Sequence, residues 1–298
     1  MLDKLYHSLS PILFSLGPFT VRWYGLGYSL GFLLAALLAL HICKRWKIRF
    51  SFESLLVLII AAMIGTILGA RLGYILFYGN GYYFSHPAAI LAFNQGGMSF
   101  HGGLIGFTLG TLVAARLTKM PMLTLADISA ICAPIGLGLV RVANFINGEL
   151  WGATTTLPWG VVFDGEAGPL PRHPTQLYEA LLEGLVLLVL LYLLARKKKP
   201  LPRGSYIGLF LVAYAVFRIA IEFVREPDSQ LGYLMGTEWI TMGMMLSLPM
   251  LLIGAGLLVY AAKTKKPEAG QELILVKKTE SESVGTADQE GDDNGGDS

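Results

Sequence analysis

Residues 53–78 read ESLLVLIIAAMIGTILGARLGYILFY, an apolar run in which Glu53 and Arg71 are the only charged residues. A helix that crosses a bilayer needs about 20 mostly apolar residues, so this stretch is long enough to span a membrane. Six further stretches share its character, and the seven predicted spans are about 21–43, 53–78, 98–118, 124–146, 174–195, 205–225 and 238–262. The sequence therefore predicts an all-α polytopic membrane protein with seven transmembrane helices.

The composition agrees with this prediction. Hydrophobic residues make up 54% of the 298 residues and charged residues 15%, against roughly 45–50% and 25% in soluble domains. Segment 263–298 holds 14 of the 44 charged residues, so the seven-span domain, residues 1–262, is sparser in charge still. Both cysteines, Cys43 and Cys132, lie at apolar positions without a metal-ligand spacing. We expect both to be small buried hydrophobes and predict neither a disulfide framework nor a metal site.

Basic residues alternate between the predicted loops. The loops after spans one, three and five carry lysine and arginine, as does the segment after span seven, whereas the other loops carry almost none. Because these residues accumulate on the cytoplasmic side, we expect the N-terminus outside and the C-terminus inside, with no basic face left for nucleic acid. Segment 263–298 is then a cytoplasmic, acidic, disordered tail. The long aromatic-rich stretches 79–97 and 147–173 are predicted to form an arm and a small head on the outer surface.

Polar residues within the spans gather at the end that is predicted to face outward. An ionisable group at mid-membrane costs about 2.5–3.5 kcal/mol on insertion scales, so such groups usually mark a site or a pair. The outer-end set is Tyr24, Arg71, His101, Arg141, Asn144, Asn147, Glu149, Gln176, Glu179, Glu183, Arg218, Glu222 and Arg225. The inner halves contain almost nothing ionisable except Glu53 and Asp127, which helix capping or the helix dipole explains.

Helical spacing arranges several of these residues into faces. At 100° per residue, Arg218, Glu222 and Arg225 share one face of span six, where Arg218 can pair with Glu222. A second polar face, on span five, is formed by Gln176, Glu179 and Glu183. Polar faces at one depth indicate a cavity open to the outer leaflet, and its arginines suit an anionic head group such as a phospholipid phosphate. The alternative is that these groups only bond helices together or snorkel to the interface.

Glycines flank the same polar residues. Gly102 follows His101 directly, and Gly152 lies three residues after Glu149. Small residues let helices approach closely, so helix packing explains these glycines as well as a phosphate loop does. Closely approaching backbones also leave room for a bulky lipid head beside His101.

Residues 141–152, RVANFINGELWG, resemble the signature of the bacterial prolipoprotein diacylglyceryl transferases. Supporting motifs follow in the family order, namely RWYG at 22–25, SFHGGLIG at 99–106, HPTQLYE at 173–179, and FR at 217–218 continuing through Glu222 to REPD at 225–228. The resemblance implies a seven-span enzyme of the bacterial cytoplasmic (inner) membrane with its active site toward the periplasmic leaflet. The acidic tail lies outside the resemblance.

The reaction that the resemblance implies is a group transfer between two membrane substrates. The diacylglyceryl group of phosphatidylglycerol passes to the lipobox cysteine thiol of a prolipoprotein signal peptide, which forms a thioether and releases glycerol phosphate. This is the first step of bacterial lipoprotein maturation. The implied partners are phosphatidylglycerol, prolipoprotein signal peptides and membrane lipid, without nucleic acid, and no metal or organic cofactor is implied.

Attack by a thiol on a glyceryl carbon calls for a base and for cations that stabilise the thiolate and the leaving phosphate. The resemblance carries phosphatidylglycerol binding onto Arg141 and catalytic importance onto His101 and Arg218. We assign His101 as the candidate base, or otherwise as a residue that orients the lipid, and Glu222 as the residue that holds Arg218. The remaining predicted phosphatidylglycerol-binding residues are Tyr24, Asn144, Asn147, Glu149, Gly102, Gly152 and Arg225.

Two other classes of function stay open on the residues alone. A transporter or lipid flippase also places polar groups in a helical cavity. The odd number of spans, the lack of a visible inverted repeat and the nearly uncharged inner halves count against it. A non-catalytic lipid-binding or assembly scaffold would use the same charged clusters only to hold helices together.

Overall fold

The computed structural model describes residues 2–17, 19–78, 81–91, 99–197, 199–227 and 232–270, which are mostly helical. Its elements in chain order are α1 (Leu2–His7), β1 (Ile12–Leu16), β2 (Phe19–Arg22), α2 (Trp23–Arg45), α3 (Phe52–Tyr78), α4 (Tyr82–Ser85), α5 (Phe100–Leu117), α6 (Met122–Asn147), α7 (Thr175–Glu179), α8 (Leu187–Ala195), α9 (Ser205–Glu222) and α10 (Met242–Thr264). A π-helical segment, Ala180–Val186, joins α7 to α8 without a break. Short 3-10 turns cover Pro87–Leu91 and Gly165–Ala167.

The polytopic helical fold is confirmed. Six of the predicted spans are helices that are long and apolar enough to cross a membrane, and the third is a shorter apolar helix, Gly102–Leu117. The helix ends lie within about four residues of the predicted ends, as expected for boundaries read from sequence. Segment 271–298 of the predicted tail and parts of the predicted arm, 79–80 and 92–97, lie outside the described residues.

A short β-hairpin before α2 departs from the all-α prediction. Strand β1 pairs antiparallel with β2, with Leu16 opposite Phe19 and Ser15 opposite Thr20. Gly17, at φ 58°, lies in the connection, where the left-handed conformation costs glycine little. The prediction began the first helix at about residue 21 and left the preceding residues unassigned, whereas the chain pairs with itself until Arg22 and turns helical at Trp23.

The described part of the chain divides into two compact units, one within residues 1–46 and 126–268 and the other within residues 47–125 and 269–270. In the second unit, α3 and α5 pack backbone against backbone. A Cβ atom added at Gly106 would collide with the Gly65 carbonyl, and one added at Gly102 would collide with the Gly69 carbonyl. Helix packing therefore explains the glycines after His101, because close helix contact requires small residues there.

The first unit contains the other five long apolar helical segments and a small head that follows α6. The head has its own core, in which Tyr6 from α1 packs edge-on against Phe145 and Phe163. Burial raises the pKa of the Tyr6 hydroxyl and lowers the pKa of the His173 imidazole in the head. The predicted head thus exists as a packed structure, and its placement on the outer surface stays a prediction.

One end of the first unit is held by bonds from side chains to backbone, and we call it the Asp127 end. Asp127, fully buried near the start of α6, accepts hydrogen bonds from the Gly204 and Ile207 amides at the start of α9. The Trp46 indole donates to the Ala195 carbonyl at the end of α8. Asp127 caps α9, whereas the prediction placed its role at the start of its own helix, which begins five residues earlier at Met122. Both cysteines are buried free thiols, as predicted.

Candidate active site

Glu179, the last residue of α7, is the centre of a buried ionic cluster in the first unit. Its carboxylate lies 2.9 Å from Arg141 Nε, 2.5 Å from Arg218 Nη1 and 2.9 Å from Arg225 Nη1. The Glu179 side chain is 0% exposed, and the three arginines come from two different helices or their ends. One carboxylate therefore forms ion pairs with three arginines that are distributed over 85 residues of the sequence.

Glu222 adds a second carboxylate to this arginine cluster, which we define as Arg141, Glu179, Arg218, Glu222 and Arg225. It forms an ion pair with Arg218 four residues earlier and lies 3.7 Å from the Arg225 guanidinium. The predicted pairing of Arg218 with Glu222 is therefore confirmed. Three guanidinium groups meet two carboxylates, which leaves one surplus positive charge within the cluster.

Small residues and the π-helical segment Ala180–Val186 allow the helices to pack in this geometry. Gly138 of α6 and Gly184 of the π-helical segment meet so closely that a Cβ at Gly184 would lie 2.7 Å from the Gly138 Cα. Gly243, in the first turn of α10, leaves space for the Glu222 carboxylate, since a Cβ there would collide with it. Isolated π turns recur at functional sites, because they shift the side chains that follow.

A neutral polar group adjoins the arginine cluster along α6. The Asn144 amide donates to the Tyr24 hydroxyl at 2.6 Å, which joins α6 to the first turn of α2. Tyr24 is also close enough to Arg141 and Glu149 for electrostatic interaction. Four of the predicted lipid-binding residues, Tyr24, Arg141, Asn144 and Glu149, are thus brought together by the fold.

Hydrogen bonds fix the chain that follows α6 against the start of α7. The Asn147 amide donates to the Glu149 carboxylate at 3.0 Å, and the Gln176 amide donates to the Glu149 carbonyl at 2.7 Å. The Thr175 hydroxyl donates to the Leu150 carbonyl at 3.0 Å. These bonds place the Glu149 loop beside the helix that carries Glu179. The predicted polar face of α7 therefore supports this loop from one side.

Gly152 connects the head to the cluster. Its amide donates to the His173 carbonyl at 2.9 Å, and it forms an antiparallel bridge with Arg225. A Cβ at this position would collide with the Val224 carbonyl. The structure thus gives Gly152 a packing role, and its predicted contact with lipid stays a prediction.

Two members of the predicted outer-end set lie in the second unit. Arg71 donates from Nε to the Ile90 carbonyl at 3.0 Å and from Nη2 to the Ala89 carbonyl at 2.6 Å, so it fastens α3 to the 3-10 turn of the predicted arm. His101 lies in the first turn of α5, and its side chain is outside the part of the chain that the structure describes. Its predicted role as a base stays a prediction.

Three polar residues of this region carried no functional assignment in the sequence analysis. Glu179 and Glu183 were placed on a polar face but given no role, and Tyr214, one turn before Arg218 on α9, was not singled out. The signal for Glu179 was present, because a buried acid amid basic residues usually pairs with them. The sequence did not reveal which residues pair with Glu179, because local spacing does not determine ion pairs between different helices.

The cluster has the properties of an anion site. Arg141 and Arg218 keep 18% and 14% of their side-chain surface exposed, although Glu179 is fully buried. Arg141 uses Nε for its carboxylate, and its two terminal nitrogens have no protein partner among the described residues. Guanidinium nitrogens bind phosphate oxygens in pairs, and a site of low dielectric strengthens that attraction. The surplus positive charge matches one phosphodiester.

The fold and this cluster define a multi-pass membrane protein with a buried, arginine-rich ionic cluster. A family model described as prolipoprotein diacylglyceryl transferase matches residues 11–260. The chain is 46% identical over 273 residues to the phosphatidylglycerol–prolipoprotein diacylglyceryl transferase of Brucella anthropi, covering 89% of this chain and 96% of that relative. The corresponding protein of Mesorhizobium japonicum is 47% identical over 269 residues, covering 88% and 92%. The chain therefore belongs to the prolipoprotein diacylglyceryl transferase family.

Proposed function

We propose that this chain transfers the diacylglyceryl group of phosphatidylglycerol to the lipobox cysteine of prolipoprotein signal peptides, the first step of lipoprotein maturation. The curated relatives, which match nearly their whole length, are named for this transfer. The observation that carries the proposal is the convergence of Arg141, Arg218 and Arg225 on Glu179. A phosphodiester headgroup is the substrate feature that such a cluster fits.

The chemistry exchanges a carbon–oxygen bond for a carbon–sulfur bond. The cysteine thiol loses its proton to a base, and the thiolate attacks the terminal glyceryl carbon of the diacylglyceryl group. The bond from that carbon to the phosphate oxygen breaks, and the electron pair leaves with the phosphate as glycerol phosphate. The leaving oxygen gains charge in the transition state, so cations placed beside it accelerate the reaction.

Arg141 is the proposed phosphate ligand, through the terminal nitrogens that Glu179 leaves available. Tyr24, Asn144, Asn147 and Glu149 orient the headgroup or its glycerol hydroxyls, which the short bond between Tyr24 and Asn144 supports. Their hydroxyl, amide and carboxylate groups offer both donors and acceptors to a polyol.

Arg218, held by Glu222, stabilises the thiolate or the leaving phosphate in this proposal. Arg225 is a second phosphate contact or a gate residue, and its ion pair with Glu179 keeps it at the cluster. His101 is the proposed base, a role that its residue type suits near neutral pH.

The proposed setting is the bacterial cytoplasmic membrane, with the N-terminus outside, residues 263–298 in the cytoplasm and the site toward the outer leaflet. The lysines and arginines of alternate loops support this orientation. An outer-leaflet site would meet a translocated signal peptide and a phospholipid from the same side.

The test is covalent product formation. Purified protein is incubated with phosphatidylglycerol vesicles and a synthetic lipobox peptide, and mass spectrometry measures the diacylglyceryl mass increase on the cysteine. We expect product with the unaltered chain and a loss of about 100-fold or more with Arg141→Ala or Arg218→Ala. Arg116→Ala, at an exposed arginine of α5, is the matched control. Near-normal rates in both cluster variants would contradict the assigned roles.

The base assignment and the other classes of function are separable in the same assay. A His101→Gln variant with full activity and an unchanged pH profile would exclude His101 as the base. Movement of labelled lipid across the membrane without covalent product would favour a transporter. Binding of both substrates without either result would favour a scaffold.

A further inference from the structure

Glu183 is a buried carboxylic acid to which the proposed reaction assigns no role. Its side chain is 0% exposed, and neither carboxylate oxygen has a hydrogen-bond partner among the described residues. It lies on the π-helical segment one turn after Glu179. A buried polar group without a partner is rare in folded proteins, and it usually reflects a function.

The groups around Glu183 belong to the arginine cluster or adjoin it. Glu179 faces it from the same helical run, and Arg141 acts on it from α6. From α9, Arg218 acts on it and the Tyr214 hydroxyl lies near it, outside the geometry of a good hydrogen bond. Glu179 forms the ion pairs with Arg141 and Arg218. Glu183 therefore lies within the electrostatic field of these arginines without an ion pair of its own among the described residues.

The charge of the cluster depends on the protonation of this acid. Three arginines and the two paired carboxylates leave one surplus positive charge, which one phosphodiester balances. An ionised Glu183 would cancel that surplus before lipid binds. It would also place a third carboxylate in a low-dielectric site without a partner, which is costly.

We propose, on the basis of the function proposed above, that Glu183 is a positioning residue for phosphatidylglycerol. In its protonated form it leaves the arginine cluster one positive charge in excess for the phosphodiester, and its ionisation removes that excess. Glu183 need not touch the lipid, because it acts through the field of Arg141 and Arg218. It therefore sets the affinity for the headgroup and leaves the attack of the thiol to other groups.

The experiment measures binding of phosphatidylglycerol without peptide, so that the reacting thiol does not titrate. Affinity of the full chain for phosphatidylglycerol in zwitterionic vesicles is followed from about pH 6 to about pH 9, a range in which exposed carboxylates are already ionised. We expect the affinity of the unaltered protein to fall about tenfold across this range. In Glu183→Gln, which imitates the protonated acid, the affinity should stay nearly constant, so that it exceeds that of the unaltered protein at the alkaline end.

The matched control is Glu166→Gln, which makes the same change at an exposed acid of the head. This variant should keep the alkaline loss. A pH-independent affinity in the unaltered protein would overturn the proposal, whether or not Glu183→Gln folds. An alkaline loss that persists in a folded Glu183→Gln would also overturn it.

The transfer assay at about pH 7.5 distinguishes the two proposals, because an imidazole base is largely neutral at this pH and can accept the thiol proton. Covalent product there, together with flat binding curves, would reject the role of Glu183 and keep the proposed function. Absence of product from the unaltered protein would reject the proposed function itself.

Discussion

The two ends of the first unit use buried carboxylates in opposite ways. At the Asp127 end, the carboxylate accepts backbone hydrogen bonds from Gly204 and Ile207 and thereby caps a helix. At the arginine cluster, the partners of the Glu179 carboxylate among the described residues are arginine side chains, which carry more positive charge than the cluster's paired carboxylates neutralise. Along α6, the distance from Asp127 to Arg141, which pairs with Glu179, is about 21 Å.

The difference separates structural charge from functional charge. A carboxylate that accepts hydrogen bonds from the amides at a helix start has its oxygens satisfied within the fold and caps those amides in return. The arginine cluster has surplus charge and partly exposed guanidinium groups, and in the proposed function the phosphodiester of the lipid balances that charge. Burial and ionisability alone do not distinguish these two cases, whereas the identity of the partners does.

The largest effect is expected from Glu179→Gln. This change leaves three arginines without their shared carboxylate, and breaking a buried ion pair costs about 3–5 kcal/mol. We expect thioether formation to fall about 1,000-fold or more and the melting temperature in detergent to fall as well. Glu166→Gln is the control. A Glu179→Gln rate within about twofold of the unaltered protein would make the cluster merely structural.

The next effect concerns the shape of the cation. Arg218 bridges Glu179 and Glu222 through two different nitrogens, a geometry that one ammonium group cannot reproduce. We therefore expect Arg218→Lys to lose about 100-fold in transfer rate despite its retained charge. The rate is compared with that of Arg116→Lys. If a positive charge at position 218 were sufficient, Arg218→Lys and Arg116→Lys would have equal transfer rates, which would contradict this prediction.

Asp127→Asn tests the opposite end. The variant keeps an acceptor but weakens the cap of α9, so we expect the free energy of unfolding to fall by about 1–3 kcal/mol. Transfer per folded molecule should stay within about twofold, since this end is assigned no contact with substrate. A large loss of specific activity at unchanged stability would break the distinction between the two ends.

The smallest effect is expected from Trp46→Phe. Phenylalanine keeps the ring but loses the indole donor to the Ala195 carbonyl, and one such hydrogen bond contributes about 1 kcal/mol. Thermal unfolding should show a modest decrease, with unchanged transfer per folded molecule. A change in affinity for phosphatidylglycerol would show that this end also acts on the lipid.

The spans were predictable because their signal is local. A run such as 53–78 has one property, apolarity over a sufficient length, that the bilayer itself imposes. The hairpin Ile12–Arg22 was missed because pairing of two short strands depends on register and turn geometry, which apolar content does not reveal. The π-helical segment was missed for a similar reason, since its sequence, ALLEGLV, is an ordinary helical sequence.

The site was predictable where its pairs are local. Arg218 and Glu222 are four residues apart on one helix, so their contact follows from helical geometry. The bonds from Glu179 to α6 and α9 depend on how helices pack, and one sequence does not contain that information. The polar face predicted for Gln176, Glu179 and Glu183 assumed 100° per residue, which a π-helical segment does not keep.

One assay on three proteins tests most directly whether the reaction depends on the arginine cluster and not on the Asp127 end. Mass spectrometry follows the diacylglyceryl mass increase on a lipobox peptide for the unaltered chain, Glu179→Gln and Asp127→Asn, normalised to folded protein. The unaltered chain and Asp127→Asn should form product at rates within about twofold of each other, and Glu179→Gln should form about 1,000-fold less. Equal rates in the unaltered chain and Glu179→Gln, or loss of product in Asp127→Asn alone, would contradict the placement of the reaction at the arginine cluster.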